Sequence, residues 1–302
     1  MGVGYGSAMV PPSSRRAACR SGAQPTFDRD ADRLVAELAG YGPTLVAFSG
    51  GVDSSVVLAA AARALGADAA GLTAVSPAVP AAEVEAAAAF CAELGIAHHP
   101  VPTAELDRAG YRDNGPRRCY FCKSTLLDTA VDFAARRGFA AVATGTNASD
   151  LAAGFRPGIR AAAERGARTP LADLGLDKEA VRAVALHFGL STWDKPAAAC
   201  LSSRIAFGVA ISPARLARVE RAEAAVRRLL TAHRVRDLRV RDLGEAVRVE
   251  LDAHLVEPVR ADPALSSALD EAGFAGVPVS VAAFRSGSMN ELLPNPERWR
   301  KA

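Results

Sequence analysis

The sequence lacks any apolar run of the roughly 18 residues that a membrane-spanning helix needs, so a protein with membrane-spanning helices is excluded. It also lacks a strong excess of either charge, since 36 basic and 33 acidic residues give a formal net charge of +3. A general polyanion-binding surface is therefore not expected, and neither a membrane nor a nucleic acid is a predicted partner. The 302 residues, half of them hydrophobic, suffice for one large domain or two smaller ones.

The N-terminal segment, residues 1–26, has no continuous apolar core of the kind found in signal peptides. It is rich in Gly, Pro, Ser and Arg, which predicts a disordered leader. A cytoplasmic protein is expected to follow, and its cysteines would stay reduced. Cysteine is scarce, with five in the chain. Where such residues cluster, they are more often metal-binding or catalytic than structural disulfides.

Strands alternate with helices from about residue 27 to about residue 150. Short apolar runs at 44–48, 69–76 and 140–146 predict strands, and a helix is expected from Cys119 to Arg137. This alternation predicts an α/β fold with a doubly wound parallel sheet, in which ligands bind at the carboxyl ends of the strands. We assign residues 27–210 to this domain, including a loop-rich stretch after Asp150 with one clear helix at 177–189.

The remaining residues, 211–302, predict a smaller α+β domain for substrate binding or oligomerisation. A long amphipathic helix begins after the capping residue Ser212, and two alternating segments resemble paired strands. A last strand is expected near residues 277–284.

The segment SGGVDSS lies between the first predicted strand and the following helix. Its glycines can bring bare backbone N–H groups against a phosphate at a helix N-terminus, its serines can donate hydroxyl hydrogen bonds, and Asp53 can hold Mg²⁺. The predicted ATP-binding residues of the segment are Ser49, Gly50, Gly51, Asp53, Ser54 and Ser55. It is not a Walker A loop, because no GK[ST] follows. The plainer alternative is a glycine-containing turn.

The segment resembles the PP-loop signature, SGGxDS, of the ATP-pyrophosphatase superfamily, whose members adenylate a substrate oxygen and release pyrophosphate. Beyond it, TGTNASDL (144–151), residues 155–208, RVRDL (239–243) and FRSGSMNE (284–291) resemble the LarE family. That resemblance implies adenylation of a carboxylate of pyridinium-3,5-biscarboxylic acid mononucleotide, followed by sulfur insertion to give a thiocarboxylate. It also implies a role in nickel-pincer nucleotide cofactor synthesis, ATP binding at Gly145, and a homo-oligomer such as a hexamer.

Cys119 and Cys122 have CxxC spacing, which suits a redox couple, half of a zinc site or part of an iron–sulfur site. A zinc site would need a further ligand, for which His98 and His99 are candidates. Cys200 is a possible third partner. Cys19 in the leader and Cys91 in an apolar helix are interpreted as bystanders.

The LarE resemblance offers two routes for sulfur. In one, a single cysteine attacks the acyl-adenylate and loses its sulfur to become dehydroalanine; that form lacks the CxxC, and its cysteine matches Ala199 better than Cys200. In the other, three cysteines hold a [4Fe–4S] cluster whose open iron carries sulfide. Cys119, Cys122 and Cys200 match this second form, which we favour.

Arginines provide the predicted substrate site. Arg239 and Arg241 would share one face of a strand, as two guanidiniums binding a phosphate require, and the resemblance supports that role. Ser203 and Arg204 are expected to assist, with Arg204 also favouring the Cys200 thiolate. Weaker candidates are Lys123, Asp150, Arg156, Arg160, Lys195, Glu223, Glu250, Arg285 and Ser286.

Three other functions remain open at this point. A PP-loop tRNA thiolase would use similar cysteines but should show a basic face or an RNA-binding domain. An ATP-dependent amide ligase would not need its cysteines, and a non-enzymatic ATP-binding or sulfur-carrier scaffold would not turn over. Substitution of Cys200 would abolish thiolation while leaving a ligase unaffected.

Overall fold

The computed structural model describes residues 26–152, 157–196 and 199–292. Residues 1–25 of the predicted leader, with Cys19, and the candidate Arg156 lie outside these ranges. The strands are β1 Thr44–Ala47, β2 Ala69–Val75, β3 Ala97–Pro102, β4 Ala141–Thr144, β5 Leu238–Asp242, β6 Val247–Leu251 and β7 Val279–Ala283. The helices up to residue 152 are α1 Thr26–Ala39, α2 Val52–Leu65, α3 Ala81–Glu93, α4 Ala109–Arg112, α5 Arg118–Arg137 and α6 Ala148–Ala152. Those after it are α7 Pro157–Glu164, α8 Pro170–Asp173, α9 Lys178–His187, α10 Pro213–Leu229, α11 Val256–Ala261 and α12 Ala264–Leu269.

The first sheet is parallel throughout and has the order β3-β2-β1-β4. All four residues of β1 are buried, as expected for a strand covered on both faces. Leu45 packs in the cluster that contains Leu127 of α5, while Val46 packs on the opposite face with Val57 of α2. The prediction of an α/β fold with a parallel sheet is therefore confirmed.

The second sheet has the order β5-β6-β7, with β5 and β6 antiparallel and β7 parallel to β6. Leu216 and Val219 of α10 pack in one buried cluster with Val240 and Val249 of the sheet. The predicted cap holds, because the Ser212 hydroxyl accepts a hydrogen bond from the Arg215 N–H at 3.3 Å. The boundary placed near residue 210 stays a prediction.

The stretch after Asp150 is more helical than the sequence indicated. We expected one helix there, whereas the structure has α6 to α9 and a 3₁₀ helix at Leu201–Arg204. We interpreted Pro157 and Gly158 as loop residues, but proline is well accepted in the first turn of a helix, where its N–H is not needed. Ala161 and Ala162 are buried, and Ala162 packs in the core cluster that contains Leu127 of α5, which holds α7 in place. None of the described helices is both long and apolar enough to cross a membrane.

Candidate active site

A cavity of about 670 Å³ lies at the carboxyl ends of the parallel strands. Residues 199–204, α10 and β5 also contribute to its wall. On one side its walls come from the predicted ATP-binding residues Ser49, Gly51, Asp53, Ser54 and Gly145. On the other side they come from Cys122, Cys200, Arg204, Glu223, Arg227 and Arg239. One cavity thus joins the SGGVDSS segment, residues 49–55, which we call the phosphate loop, to two of the three candidate cysteines.

The phosphate loop is held by its own serines. Gly50 has a φ of 71°, in the left-handed region that glycine tolerates best, and Gly51 is the N-cap of α2. The Ser54 hydroxyl donates to the Gly51 carbonyl at 3.0 Å and accepts from the Ser49 N–H at 3.3 Å. The Ser55 hydroxyl also donates to the Gly51 carbonyl at 3.0 Å, but Ser55 is fully buried and is not among the cavity-lining residues. Ser55 therefore stabilises the loop from its buried side.

Gly145 lets the chain after β4 touch the start of α2. A Cβ atom at this position would lie 2.6 Å from the Ser54 backbone nitrogen and 2.8 Å from the Asp53 carbonyl carbon. Real Cβ atoms essentially never approach backbone so closely, so any side chain here would push the two segments apart. Gly145 thus lets the chain after β4 pack directly against the backbone of Asp53 and Ser54, and it also lines the cavity.

Asp53 is suited to hold a magnesium ion beside bound phosphates. Its Oδ1 accepts a hydrogen bond from Asn147 Nδ2 at 3.0 Å, and both Asp53 and Asp150 line the cavity. Burial raises the pKa of Asp53, the Asn147 hydrogen bond works against that rise, and Asp150 adds to it. Carboxylate oxygens are the donors that Mg²⁺ prefers, so these residues fit the ion. The sequence reasoning missed Asn147, although it lies in the TGTNASDL segment.

Lys195 lies against the phosphate loop, as its candidacy for phosphate contact suggested. Its Nζ donates to the Gly50 carbonyl at 3.0 Å and forms an ion pair with Glu83 at 2.7 Å. Glu83, which the sequence did not single out, therefore holds a cation at the loop.

The candidate cysteines lie on two elements. Cys119 and Cys122 lie three residues apart near the start of α5, a spacing that puts them on one helix face. Cys122 and Cys200 are half-buried and line the cavity, whereas Cys119 is exposed. Cys200 immediately precedes the 3₁₀ helix Leu201–Arg204. All the cysteines in the described ranges are free thiols, so no disulfide links them there.

The three thiols are close enough to influence one another. Burial raises the pKa of Cys122, and Cys200, Glu105 and Cys119 raise it further by repulsion of the thiolate. Cys122 and Cys200 in the wall, with the exposed Cys119 on the same helix face as Cys122, are the number of thiols that a cluster with one open iron would need. Among the described residues, however, no three His, Cys, Asp or Glu side chains already form a metal-binding group. The three thiols are suitable ligands for such a cluster, but they would have to move closer together when it binds.

Arg204 holds the backbone around Cys200. Its Nε donates to Glu223 Oε1 at 2.9 Å, and its side chain is 5% exposed. Its NH1 donates to the carbonyls of Ala199 and, at 3.0 Å, of Cys200. The guanidinium thus lies in the cavity wall with a carboxylate partner.

The two predicted phosphate-binding arginines of β5 have different surroundings. Arg241 pairs with Glu250 at 2.9 Å, donates to the Ser203 carbonyl at 3.1 Å, and is not among the cavity-lining residues. Arg239 lines the cavity and lies 5.3 Å from the centroid of the Phe284 ring. Burial lowers the pKa of Arg239, and the nearby Arg204 lowers it further.

Ser203 is likewise not among the residues that line the cavity. Its hydroxyl donates to the Cys200 carbonyl at 2.7 Å. Its position is that of a residue that shapes the turn after Cys200.

Several weaker candidates lie apart from the cavity. Arg160 and Arg285 are exposed and pair with nearby glutamates, and the neighbouring Ser286 is exposed as well. The His99 ring lies 4.8 Å from that of Phe133, and Cys91 is fully buried in the core.

Of the other candidates, Lys123 does line the cavity. Glu250 is buried and is the ion-pair partner of Arg241. His98 bonds to Thr73 at 2.9 Å, so neither histidine adds a ligand beside the cysteines.

The sequence is similar to several known proteins. The family model for asparagine synthase matches residues 33–117, a range that includes the phosphate loop. An uncharacterized protein of Synechocystis sp. is 41% identical over 252 residues, which cover 82% of this chain and 92% of that protein. An uncharacterized protein of Methanocaldococcus jannaschii is 27% identical over 173 residues, which cover 57% of this chain and 66% of that protein.

A relative with a named activity matches over nearly the same length. The pyridinium-3,5-bisthiocarboxylic acid mononucleotide synthase of Lactiplantibacillus plantarum is 33% identical over 264 residues, which cover 86% of this chain and 93% of that protein. The chain is therefore an ATP-dependent enzyme of the PP-loop superfamily and belongs to the LarE family.

Proposed function

We propose that the enzyme adenylates a carboxylate of pyridinium-3,5-biscarboxylic acid mononucleotide with ATP and then replaces one carboxylate oxygen by sulfur. The observation that carries this proposal is that residues of the phosphate loop line the same cavity as Cys122 and Cys200. The name of the Lactiplantibacillus plantarum relative, a bisthiocarboxylic acid mononucleotide synthase, supports the substrate and the product.

In the first step, a carboxylate oxygen of the substrate attacks the α-phosphorus of ATP. The new O–P bond replaces the bond to the β-phosphate bridge, so pyrophosphate leaves and an acyl-adenylate remains. The N–H groups of the loop and the N-terminus of α2 stabilise the phosphates. Lys195 lies at the same loop and adds a positive charge there. Asp53 would hold Mg²⁺, which when bound would supply positive charge beside the phosphates.

In the second step, hydrosulfide attacks the activated carbonyl carbon. A C–S bond forms, the C–O bond to AMP breaks, and the sulfur's proton goes to solvent, which leaves a thiocarboxylate and AMP. The step involves no oxidation or reduction, since sulfide at the S²⁻ level enters and the acyl phosphate oxygen leaves with AMP. A repeat on the other carboxylate would give the dithiolated product.

Cys119, Cys122 and Cys200 are the residues that would hold a [4Fe–4S] cluster. When bound, such a cluster supplies an iron without a protein ligand, where sulfide can be kept beside the cavity. The presence of both Cys122 and Cys200 in the cavity wall favours this route over sulfur loss from Cys200 alone, because the latter needs no CxxC. We further propose that the enzyme is a cytoplasmic homo-oligomer, such as a hexamer, that serves nickel-pincer nucleotide synthesis.

Substrate-dependent exchange of labelled pyrophosphate into ATP tests the adenylation step without requiring sulfur. We expect exchange only in the presence of the pyridinium biscarboxylate mononucleotide, and loss of exchange in Asp53→Ala. Full exchange should persist in Cys200→Ala, because sulfur is not yet involved. Exchange that depends on tRNA, or on the carboxylate substrate of an amide ligase, in place of the mononucleotide would contradict the proposal. Mass analysis of Cys200 after turnover would reveal the sacrificial route as a loss of sulfur.

A further inference from the structure

A group of buried polar side chains, none of which the sequence singled out, connects the two elements that carry the candidate cysteines. It consists of Tyr111 of α4, Asn114, Arg118 at the start of α5, and Ser202 of the 3₁₀ helix, and we call it the Ser202 cluster. Each member is at most 6% exposed, and none is among the cavity-lining residues. The group therefore lies behind the wall that contains Cys122 and Cys200.

Ser202 is held through both its side chain and its backbone. Its hydroxyl lies 2.5 Å from the Tyr111 hydroxyl, and its carbonyl accepts a hydrogen bond from Arg118 NH1 at 2.9 Å. Ser202 follows Cys200 by two residues, and Arg118 directly precedes Cys119. These hydrogen bonds thus join the two cysteine-bearing elements at points next to the thiols themselves.

Asn114 extends the connection to the chain after the 3₁₀ helix. Its Oδ1 accepts from Arg118 NH1 at 2.6 Å. Its Nδ2 donates to the carbonyls of Ile205, Ala206 and Val209 at 3.2, 2.8 and 2.9 Å. Asn114 has a φ of 51°, in the left-handed region that asparagine enters more readily than most residues. The segment that leaves the 3₁₀ helix is thereby fixed to the start of α5.

Apolar packing acts at the same place. Tyr111 and Leu201 belong to one buried hydrophobic cluster, and the half-buried Cys122 packs against that cluster. Leu201 is the residue directly after Cys200. The Tyr111 ring therefore shares one packed environment with Cys122 and with the residue next to Cys200, while its hydroxyl bonds to Ser202.

The Cys200 turn is consequently attached on two sides. Arg204, with Glu223 of α10, attaches it to the region of the second sheet. Ser202, with Tyr111, attaches it to α4 and the start of α5. The first attachment does not involve the helix that carries Cys119 and Cys122, whereas the second fixes Cys200 relative to that helix.

We propose that Tyr111 and Ser202, supported by Arg118, are positioning residues that hold Cys200 within reach of Cys119 and Cys122 for sulfur delivery. The inference rests on the proposed function, in which the three cysteines act together. Since none of these positioning residues lines the cavity, breaking the Tyr111–Ser202 hydrogen bond should uncouple sulfur insertion from adenylation.

Three variants break this hydrogen bond. Tyr111→Phe keeps the buried ring, Ser202→Ala removes the other partner, and the double variant removes both, so that no buried hydroxyl is left without a partner. Because one contact is lost in each case, the three effects should be alike and not additive. Tyr41→Phe is the matched control, since the Tyr41 hydroxyl donates to Glu37 at 3.0 Å and Tyr41 does not line the cavity.

Thiol bridging in the metal-free protein measures the positioning directly. Dibromobimane links pairs of neighbouring thiols, and peptide mass spectrometry identifies each bridge. In the wild type we expect bridges from Cys200 to Cys119 or Cys122, besides the bridge between Cys119 and Cys122 within α5. The within-helix bridge is an internal reference. The ratio of Cys200 bridges to this reference should fall about five-fold in the three variants, the effect of one lost hydrogen bond on a local equilibrium.

The reconstituted enzyme gives a second measurement. After anaerobic loading with iron and sulfide, Tyr111→Phe should retain less iron per chain after gel filtration and should insert sulfur about five-fold more slowly. Its mononucleotide-dependent pyrophosphate exchange should equal that of the wild type. A role confined to overall folding would lower exchange as well. Tyr41→Phe should match the wild type in every measurement.

The outcomes separate this inference from the proposed function. Unchanged Cys200 bridging in all three variants overturns it, as does a wild type without any Cys200 bridge. Equal loss of exchange and sulfur insertion, or the same losses in Tyr41→Phe, overturns it too. If Cys200 bridging depends on Tyr111 but the wild type takes up no iron, the positioning stands and the cluster in the proposed function is wrong.

Discussion

Arg204 and Glu223 form a buried ion pair, with Nε and Oε1 2.9 Å apart, directly behind the Cys200 turn. The same carboxylate oxygen accepts the Val240 N–H at 3.1 Å. Glu223 of α10 thereby connects β5 to the residue that holds the Ala199 and Cys200 carbonyls. Because the pair lies in the cavity wall, its integrity matters for both folding and catalysis.

Removal of Glu223 should destabilise the protein strongly. In Glu223→Ala the buried Arg204 charge loses its partner, and about 3–5 kcal/mol of unfolding free energy should be lost. Glu223→Gln, which keeps an acceptor of the same shape, should lose less. Thermal and urea unfolding measure the difference, with the exposed Glu245→Ala as a control. Equal stability of Glu223→Ala and the control would contradict the role of this pair.

An alanine at position 145 should displace the phosphate loop. Its Cβ would meet backbone atoms of Asp53 and Ser54 at under 3 Å, so we expect a loss of about 1–3 kcal/mol and much weaker ATP binding. Gly115→Ala is the control, because a Cβ there meets nothing within 4 Å and its φ is not positive. Unchanged ATP affinity in Gly145→Ala, measured by calorimetry, would show that the loop does not need this approach.

Asp53→Asn should stabilise the ligand-free protein while it abolishes Mg²⁺-dependent activity. Burial raises the folded-state pKa of Asp53 above its ordinary value of 3.8, so the folded state holds the proton more tightly than the unfolded chain does. The penalty for the ionised group is absent below the unfolded pKa and complete above the folded one.

Thermal unfolding of Asp53→Asn without Mg²⁺ or ATP should therefore give a higher Tm than the wild type at neutral pH. The gain should shrink as the pH is lowered. Asp68→Asn, at an exposed aspartate, should show neither effect. A lower Tm for Asp53→Asn at neutral pH would contradict the effect of burial on this carboxyl group.

Alkylation of individual cysteines should report cluster loading. In the metal-free protein the exposed Cys119 should react readily with iodoacetamide. Cys91 should not react before unfolding, because it is buried and burial raises its pKa to about 11. After anaerobic reconstitution with iron and sulfide, Cys119 should become protected while Cys91 stays unreactive. Rapid labelling of Cys119 in iron-loaded protein would contradict its role as a ligand.

The parts of the site that depend on adjacent residues could be predicted from the sequence. SGGVDSS contains its own strand end, turn and helix start, so the loop and its place in the parallel sheet follow from local pattern. The covering of β1 on both faces likewise follows from its uninterrupted apolar run. The spacing of Arg239 and Arg241 correctly put both on one strand.

Side-chain partners from distant segments were harder to foresee. Glu250 faces Arg239 in the strand register but forms its ion pair with Arg241, a diagonal choice that depends on packing and not on spacing. Similarly, Asn147 reaches Asp53 and Glu83 reaches Lys195 only once the sheet has brought their loops together. An arginine's availability for substrate is therefore decided by tertiary contacts.

The most direct test is mass spectrometry of the mononucleotide after anaerobic turnover. The iron-loaded enzyme would be incubated with ATP, Mg²⁺, isotopically labelled sulfide and pyridinium-3,5-biscarboxylic acid mononucleotide. The account predicts oxygen-for-sulfur exchange on the substrate with label incorporated from sulfide, matched by one AMP and one pyrophosphate for each sulfur. Consumption of ATP to AMP with an unchanged substrate, or sulfur derived from the protein without label, would contradict it.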